Sequence, residues 1–305
     1  MVDMEALNFL ENTKHFAVIG AGRMGSQIAQ LLSRVGKYSV SLVDASDEIL
    51  NNAMKSIEAD LKRFFVDKGK MTESEMREIL SRIKCTTSVA EAVKNADFVI
   101  EAVYENLELK KKVFAEIDKN APPNAILASN TSGLSITEIA SATKRPEKVV
   151  GMHFFNPVAV MKLVEVVRGA LTSEETVNIV CELTKKLGKE PVVCKDIGYG
   201  FLANRAYSGL MREAVEMVWE RVASPEDIDK ALKLGYNLPL GPLEVGDMVG
   251  AWEIMALSEQ DRIRELGPEK GRLHPLIRWM VRAGYTGGPG KKGIYAFWKE
   301  VLSKP

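Results

Sequence analysis

Gly20-Ala21-Gly22-Arg23-Met24-Gly25 is a G-x-G-x-x-G run that follows an apolar segment at 15–20 and opens a helical pattern at 24–35. That order, strand then glycines then helix, constrains the fold more than any other feature of the chain. Gly20 permits a tight turn, Gly22 lets the backbone approach a pyrophosphate, and Gly25 allows helix and strand to pack closely. The helix start then turns unsatisfied N–H groups toward an anion. The next apolar segment ends at Val43-Asp44, which places an acid 19 residues after Gly25. A carboxylate there bonds the adenosine ribose hydroxyls and repels a 2′-phosphate. No arginine follows in Asp44-Ala45-Ser46-Asp47, so the pattern points to NAD over NADP. A tight strand–helix turn without a ligand would use the same three glycines; the acid at the right distance separates the two readings.

Further apolar runs lie at 38–43, 98–102, 125–128, 149–154 and 163–167, with helical patterns between them. Strands separated by helices imply crossover connections and a mostly parallel sheet, an α/β fold. The run at 191–194 reads as one more strand. Thr72 with Glu75 and Ser135 with Glu138 fit the capping-box spacing, and Thr172 with Glu175 marks a helix expected to end at Gly188. A helical hairpin is expected at 53–83. From about Asp196 the pattern is helical only. Residues 204–222 carry apolar side chains at 207, 210, 211, 214, 215 and 218, one face of a long helix. Ser224-Pro225 opens another, which stops near Gly235. The expected organisation is a Rossmann-type, mostly parallel domain at 1–195 with an inserted helical hairpin, and an all-α domain at 196–305.

Composition excludes several classes. Hydrophobic residues make up 46% and charged residues 27%, spread evenly, which argues against disorder. Lys+Arg and Asp+Glu are both 41, so no global basic field suggests a nucleic-acid partner. Apolar runs are far below the ~18 residues of a membrane span. The N-terminal stretch shows neither a secretory nor a mitochondrial address, so a cytoplasmic location is expected. Cys85, Cys181 and Cys194 lack CxxC spacing and are expected to be reduced, buried fillers, with no metal site.

Of three histidines, His15 opens the first strand and His274 precedes a proline in a polar loop. His153 sits at the end of an apolar strand, and Glu165, twelve residues on, is the one charge within Leu163-Val164-Glu165-Val166-Val167. A carboxylate inside an apolar strand is costly unless paired. If the two strands are neighbours, Glu165 accepts from one imidazole nitrogen and the other becomes a base. A core histidine beside a structural acid fits the same spacing equally well.

Met152-His153-Phe154-Phe155-Asn156-Pro157 with Met161-Lys162-Leu163-Val164-Glu165-Val166-Val167 resembles the signature of the L-3-hydroxyacyl-CoA dehydrogenase family. Ile100-Glu101-Ala102-Val103-Tyr104-Glu105-Asn106-Leu107 and Ala128-Ser129-Asn130-Thr131-Ser132 resemble it too, and the likeness runs from the glycine turn to about Tyr295. The resemblance implies NAD-dependent, reversible oxidation of a (3S)-hydroxyacyl-CoA to its 3-oxoacyl-CoA, in fatty-acid breakdown or butanoate metabolism. His153 would take the 3-hydroxyl proton while hydride leaves C3, and Glu165 would support the imidazolium. Ser132 and Asn204 would contact the reacting oxygen and the acyl end. Asp44, Glu105, Lys110, Ser132 and Asn156 would contact NAD beside Gly20, Gly22 and Gly25. Read without the family, Ser132 is a turn residue before Gly133, and Asn204 is a helix N-cap.

Coenzyme A would meet the cations Lys62, Arg63, Lys68 and Lys70 on the hairpin, Lys62 and Lys68 foremost. An ordinary solvated helix face has the same composition. Two departures from the family stand out. Lys195-Asp196-Ile197-Gly198-Tyr199-Gly200-Phe201 has glycines where the family has Asp-x-Pro-Gly-Phe, which suggests a looser joint. Gly287-Gly288-Pro289-Gly290-Lys291-Lys292-Gly293 puts Pro289 at the place of a cofactor-binding lysine, for which Lys291 or Lys292 is the candidate substitute. The helical domain is expected to close over the substrate and to form a homodimer through 204–222 and 252–257. The alternatives are a dehydrogenase of a free hydroxy or sugar acid, as in the related gulonate dehydrogenases, and a non-catalytic relative of the crystallin kind. The lysine-bearing hairpin argues against the first, and the joint presence of His153, Glu165, Ser132 and Asn204 against the second.

Overall fold

The computed structural model describes residues 4–197 and 200–303. The chain divides into two compact units, Met1–Ile197 and Gly198–Pro305. Asp196 belongs with the first, where its Oδ2 accepts from Ser135 Oγ at 2.9 Å and from Thr137 N at 2.7 Å.

The first unit opens with α1 (Met4–Asn12), β1 (His15–Ile19), α2 (Arg23–Arg34) and β2 (Ser39–Val43). The hairpin follows as α3 (Asp47–Leu61), a π-helical turn at Lys62–Val66, and α4 (Glu73–Ser81). Then come β3 (Ile83–Thr86), α5 (Val89–Val93), β4 (Phe98–Glu101), α6 (Leu107–Asn120), β5 (Ile126–Ser129) and α7 (Ile136–Ala140). The unit closes with β6 (Val149–Phe154), β7 (Leu163–Arg168), α8 (Glu174–Lys186) and β8 (Glu190–Lys195).

The eight strands among the described residues form one sheet in the order β3-β2-β1-β4-β5-β6-β7-β8. Only β6 and β7 pair antiparallel; the other adjacent pairs are parallel. The order reverses direction at β1, so the crevice between the carboxyl ends of β1 and β4 is a topological switch point, where open α/β sheets bind ligands. Phe16, Val18, Phe98, Ile100 and Leu127 are fully buried, because a parallel sheet covered on both faces hides nearly every strand residue.

The sequence pattern misses β3. Its Ile-Lys-Cys-Thr lies at a sheet edge with Lys84 and Cys85 exposed, so no apolar run marks it. Cys85 is thus not the buried filler expected; all three thiols are free, and Cys181 and Cys194 are partly exposed. Thr72 and Glu75 form the reciprocal capping box, and Ser135 caps α7 by accepting from Glu138 N at 3.1 Å. The cap of α8 is Ser173, not Thr172. The Thr172 hydroxyl is committed inward, accepting from Gly169 N and donating to the Val149 carbonyl, while Ser173 Oγ accepts from Thr176 N at 3.1 Å. Gly188, at φ +73°, takes the left-handed conformation just beyond α8.

The second unit holds α9 (Ala203–Trp219), α10 (Pro225–Tyr236), α11 (Pro242–Val249), α12 (Ala251–Leu257), α13 (Glu259–Gly271), α14 (Pro275–Arg282) and α15 (Ile294–Phe297). They surround Met211, Val215, Val218, Trp252, Leu276 and Phe297. Leu202, not Asn204, is the N-cap of α9, so the capping role read for Asn204 is not met; it is the second residue of the helix. Ser224 caps α10 with Pro225 in the first turn, as the sequence predicts. Trp252 is buried within this unit, whereas Val222, Ile254 and Leu257 are exposed. Gly198 and Tyr199 of the glycine-bearing joint lie outside the described residues. No helix among the described residues is long and apolar enough to cross a membrane.

Candidate active site

The three glycines of the first turn are under different constraints. Gly20 has φ +105°, and a Cβ there would lie 2.5 Å from the carbonyl oxygen of Ala102, just past β4. A Cβ on Gly25 would lie 1.8 Å from the Gly20 oxygen, so that position also admits no side chain. Gly22 meets nothing within 4 Å. It is the N-cap of α2 and offers no side-chain cap to the helix's first N–H groups. Open space in front of an uncapped helix start is the cradle a pyrophosphate fills. Asp44, at the end of β2, accepts from Ala21 N at 2.6 Å through Oδ2 and from Ala45 N at 2.7 Å through Oδ1. The acid expected at the ribose therefore lies against the glycine turn itself. These residues fit a dinucleotide.

At the carboxyl ends of β4 and β5 the expected contacts Glu105, Lys110 and Ser132 join into one network. Lys110, on α6, is 1% exposed. Its Nζ lies 2.7 Å from Glu101 Oε1, 3.2 Å from the Val103 oxygen and 3.3 Å from Glu105 Oε2. Glu105 Oε1 accepts from Thr131 Oγ1 at 2.6 Å, Ser132 N at 2.9 Å and Ser132 Oγ at 3.1 Å. Burial pushes the Glu101 carboxyl above the usual range, and the Lys110 ammonium opposes that rise.

The turn after β6 comes next. His153 and Glu165 are register partners across the antiparallel pair, both buried, with Nδ1 2.7 Å from Oε2. The two residues share one face because directly opposed side chains in an antiparallel ladder point the same way. A carboxylate accepting from Nδ1–H selects the tautomer in which Nε2 is the basic nitrogen. Phe154 N donates to Asn130 Oδ1 at 2.9 Å. Gln27, on α2, donates from Nε2 to Asn156 Oδ1 at 3.2 Å and accepts from Val158 N at 2.8 Å. Lys189 Nζ binds the carbonyls of Val158 and Met161.

The carboxyl edge of the sheet thus collects Gly20, Gly22, Gly25, Asp44, Glu105, Lys110, Ser132, His153 and Asn156, with Glu165 behind His153. Lys62 and Lys68 are exposed on the hairpin, in and just after the π-helical turn. Asn204 is exposed in the second unit. There Lys291 pairs with Glu253 at 3.1 Å and Lys292 with Glu300 at 2.8 Å. The two remaining histidines have structural partners: His15 Nε2 meets Ser41 Oγ at 3.1 Å, and His274 caps α14 while pairing with Glu216 at 2.7 Å. Among the described residues no cluster of three His, Cys, Asp or Glu could hold a metal.

Glu101 and Thr131 stand in the motifs that carry the resemblance but received no role from the sequence, and Gln27 and Lys189 were not singled out. Glu101 carried a legible signal, an acid ending the apolar run at 98–101, the same signal that singles out Glu165. Gln27 and Lys189 lie in unremarkable helical and turn contexts and carried none.

Residues 15–197 match the family profile described as 3-hydroxyacyl-CoA dehydrogenase, NAD binding domain, and residues 200–297 match that of its C-terminal domain. A probable 3-hydroxybutyryl-CoA dehydrogenase of Bacillus subtilis is 44% identical over 284 residues, 93% of this chain and 97% of that one. The 3-hydroxybutyryl-CoA dehydrogenase of Clostridioides difficile is 44% identical over 281 residues, 92% of this chain and 98% of that one. The crystal structure of (S)-3-hydroxybutyryl-CoA dehydrogenase from Ralstonia eutropha has a TM-score of 0.87 at 41% identity, covering 93% of this chain and 99% of that one.

Proposed function

The chain belongs to the 3-hydroxyacyl-CoA dehydrogenase family, with NAD as cofactor, and from that premise we propose that it interconverts a (3S)-hydroxyacyl-CoA and its 3-oxoacyl-CoA with a short, four-carbon acyl group. The observation that carries the reading is the His153–Glu165 pair at the carboxyl edge of the sheet, on the same edge as the glycine turn and Ser132. The acyl length follows the names of the relatives above.

His153 takes the proton of the substrate 3-hydroxyl at Nε2. Glu165 holds the ring and lowers the free energy of the imidazolium, an effect strengthened by burial, where charges are poorly screened. When bound, NAD supplies the acceptor for the hydride that leaves C3. In the reverse direction the imidazolium returns its proton to the alkoxide oxygen. Ser132 contacts that oxygen. Asp44 bonds the adenosine ribose, the N–H groups around Gly22 the pyrophosphate, and Asn156 and Ser132 the nicotinamide side. Lys110 serves the cofactor through Glu105 instead of touching it, since its ammonium has protein acceptors on three sides.

Lys62 and Lys68 meet the phosphates of coenzyme A. The second unit forms a homodimer through its exposed apolar side chains, among them Leu234, Tyr236 and Leu257, each 78% exposed. The protein works in the cytoplasm, in fatty-acid breakdown or butanoate metabolism.

The deciding experiment follows NADH loss with acetoacetyl-CoA and, in parallel, with free acetoacetate and a sugar-acid pair. Rapid loss with the thioester alone is expected. Turnover of a free acid in its place would transfer the protein to the gulonate-type reading, and NADH binding without turnover would mark it as non-catalytic. Sedimentation of the purified protein tests the dimer.

A further inference from the structure

Ser132 has a single hydroxyl hydrogen, and the structure directs it at Glu105 Oε1, an acceptor, at 3.1 Å. That bond fixes where the Ser132 hydroxyl sits. What holds it there is the division of the two Glu105 oxygens. Oε1 receives Thr131 and Ser132, while Oε2 faces the Lys110 ammonium at 3.3 Å.

Lys110 does not belong to Glu105 alone. Its closest carboxylate contact is Glu101 Oε1, at 2.7 Å. Glu101 is fully buried and saturated: Oε1 also accepts from Val103 N at 2.7 Å, and Oε2 accepts from Ser129 Oγ at 2.7 Å. Ser129 Oγ in turn accepts from Thr131 N at 3.2 Å. Glu101 thus reaches the turn that carries Ser132 by two routes, through Lys110 and Glu105 and through Ser129 and Thr131. A buried carboxylate with this many donors is expensive to keep and adds little net stability over an apolar replacement. Its placement between two strand ends, behind the site, is explained if it holds the ammonium at a fixed distance from Glu105.

We propose that Glu101 is a positioning residue for the dehydrogenase reaction: it anchors Lys110 between two carboxylates, so that Glu105 keeps one oxygen for Ser132 and holds the Ser132 side chain in place. The inference rests on the reading of Ser132 as a substrate contact. Glu101 touches neither substrate nor cofactor and acts only through Lys110, Ser129 and Glu105. With Glu101 neutral, the Lys110 ammonium has one carboxylate left and draws Glu105 toward itself, away from Ser132.

The test is a kinetic cycle in the full-length protein with acetoacetyl-CoA at saturating NADH. Glu101→Gln is expected to lower kcat by about 10- to 100-fold, with NADH affinity, read by its fluorescence, within about threefold of the parent. In a Glu105→Gln background the same change should alter kcat by less than about threefold, because the link it acts through is already cut. A parental kcat in the single variant, or an undiminished loss in the double variant, overturns the proposal. Should Glu101→Gln fail to fold, Ser129→Ala removes the donor to Oε2 and leaves Lys110 in place. It should lower kcat by a few-fold, again only when Glu105 is intact, and a parental kcat there overturns the proposal as well. Ser132→Ala separates the two layers: if its kcat is parental, the reading of Ser132 fails. If its kcat drops while Glu101→Gln stays parental, the positioning role alone fails.

Discussion

His153 Nδ1 lies 2.7 Å from Glu165 Oε2 because the two residues oppose each other across the antiparallel β6–β7 ladder. This is the one antiparallel pairing among the described strands, so the eleven residues between them return the chain alongside itself and bring the acid behind the base. The carboxylate consumes the Nδ1 hydrogen, which leaves basicity at Nε2. His153→Gln should lower kcat by roughly 10²–10⁴ with NADH affinity nearly parental. Glu165→Gln should cause a smaller loss of the same kind. Steady-state assays with a parallel NADH titration check both, and a parental rate in His153→Gln would refute the base assignment.

Gly22 and Gly25 separate ligand space from packing space. Gly22→Ala introduces a methyl group with no protein atom within 4 Å and no left-handed φ to strain. The variant should keep its melting temperature within about 1 °C while NADH affinity falls at least tenfold, since the methyl occupies the pyrophosphate cradle. Gly25→Ala forces a Cβ to within 1.8 Å of a backbone oxygen. It should lose stability and cofactor binding together. Calorimetry beside a binding titration reads both, and unaltered NADH binding in Gly22→Ala would place the cofactor elsewhere.

Asp44 should govern the choice between NAD and NADP. Asp44→Ala removes the repulsion of a 2′-phosphate and the ribose contact at once, so the ratio of kcat/KM for NADH over NADPH should fall by about 10-fold or more. Because Asp44 also accepts the Ala21 N–H, some loss of stability should accompany it. An unchanged ratio would refute the ribose role.

Lys62 and Lys68 are exposed and carry a test of the coenzyme A reading. Lys62→Glu with Lys68→Glu should raise KM for acetoacetyl-CoA by about 3- to 10-fold, an effect that shrinks as salt is added. KM for acetoacetyl-pantetheine, which lacks the nucleotide phosphates, should not change. Equal shifts for both substrates would make the pair a solvated helix face.

Cys194 has its thiol pushed up to about 11, by burial first and then by the neighbouring Glu165 and Asp196 carboxylates. A raised thiol pKa means less thiolate at neutral pH and a reactivity that keeps climbing as pH rises. At pH 8 roughly one thiol in a thousand is ionised. Alkylation by iodoacetamide, followed at this residue by peptide mass spectrometry, should increase about tenfold per pH unit between 8 and 10. A plateau near pH 9 would contradict the shift.

Much of the fold was legible because its cues are local. The apolar runs at 15–20, 98–102 and 149–154 stand out because strands covered on both faces admit few polar residues. The box of Thr72 and Glu75 and the cap at Ser224-Pro225 need only four or five consecutive residues. Where the local pattern failed, a long-range bond had intervened. Thr172 gave up capping to reach the Val149 carbonyl. β3 exists through its pairing with β2 and not through its own four residues.

The site divides along the same line. Residue type and spacing alone single out Gly20, Gly22, Gly25 and Asp44, since a strand, a turn and a helix of nearly fixed length carry them to one crevice. Whether His153 and Glu165 meet was open in the sequence, which does not fix strand neighbours, and strand register decided it. Glu105, Lys110 and Ser132 read as separate contacts. Only the sheet order, which sets β4 beside β5, joins them to Glu101 in one charged network. The chemistry of side chains is written in their identity, but whether two of them share a hydrogen bond depends on distances set by packing over the whole domain.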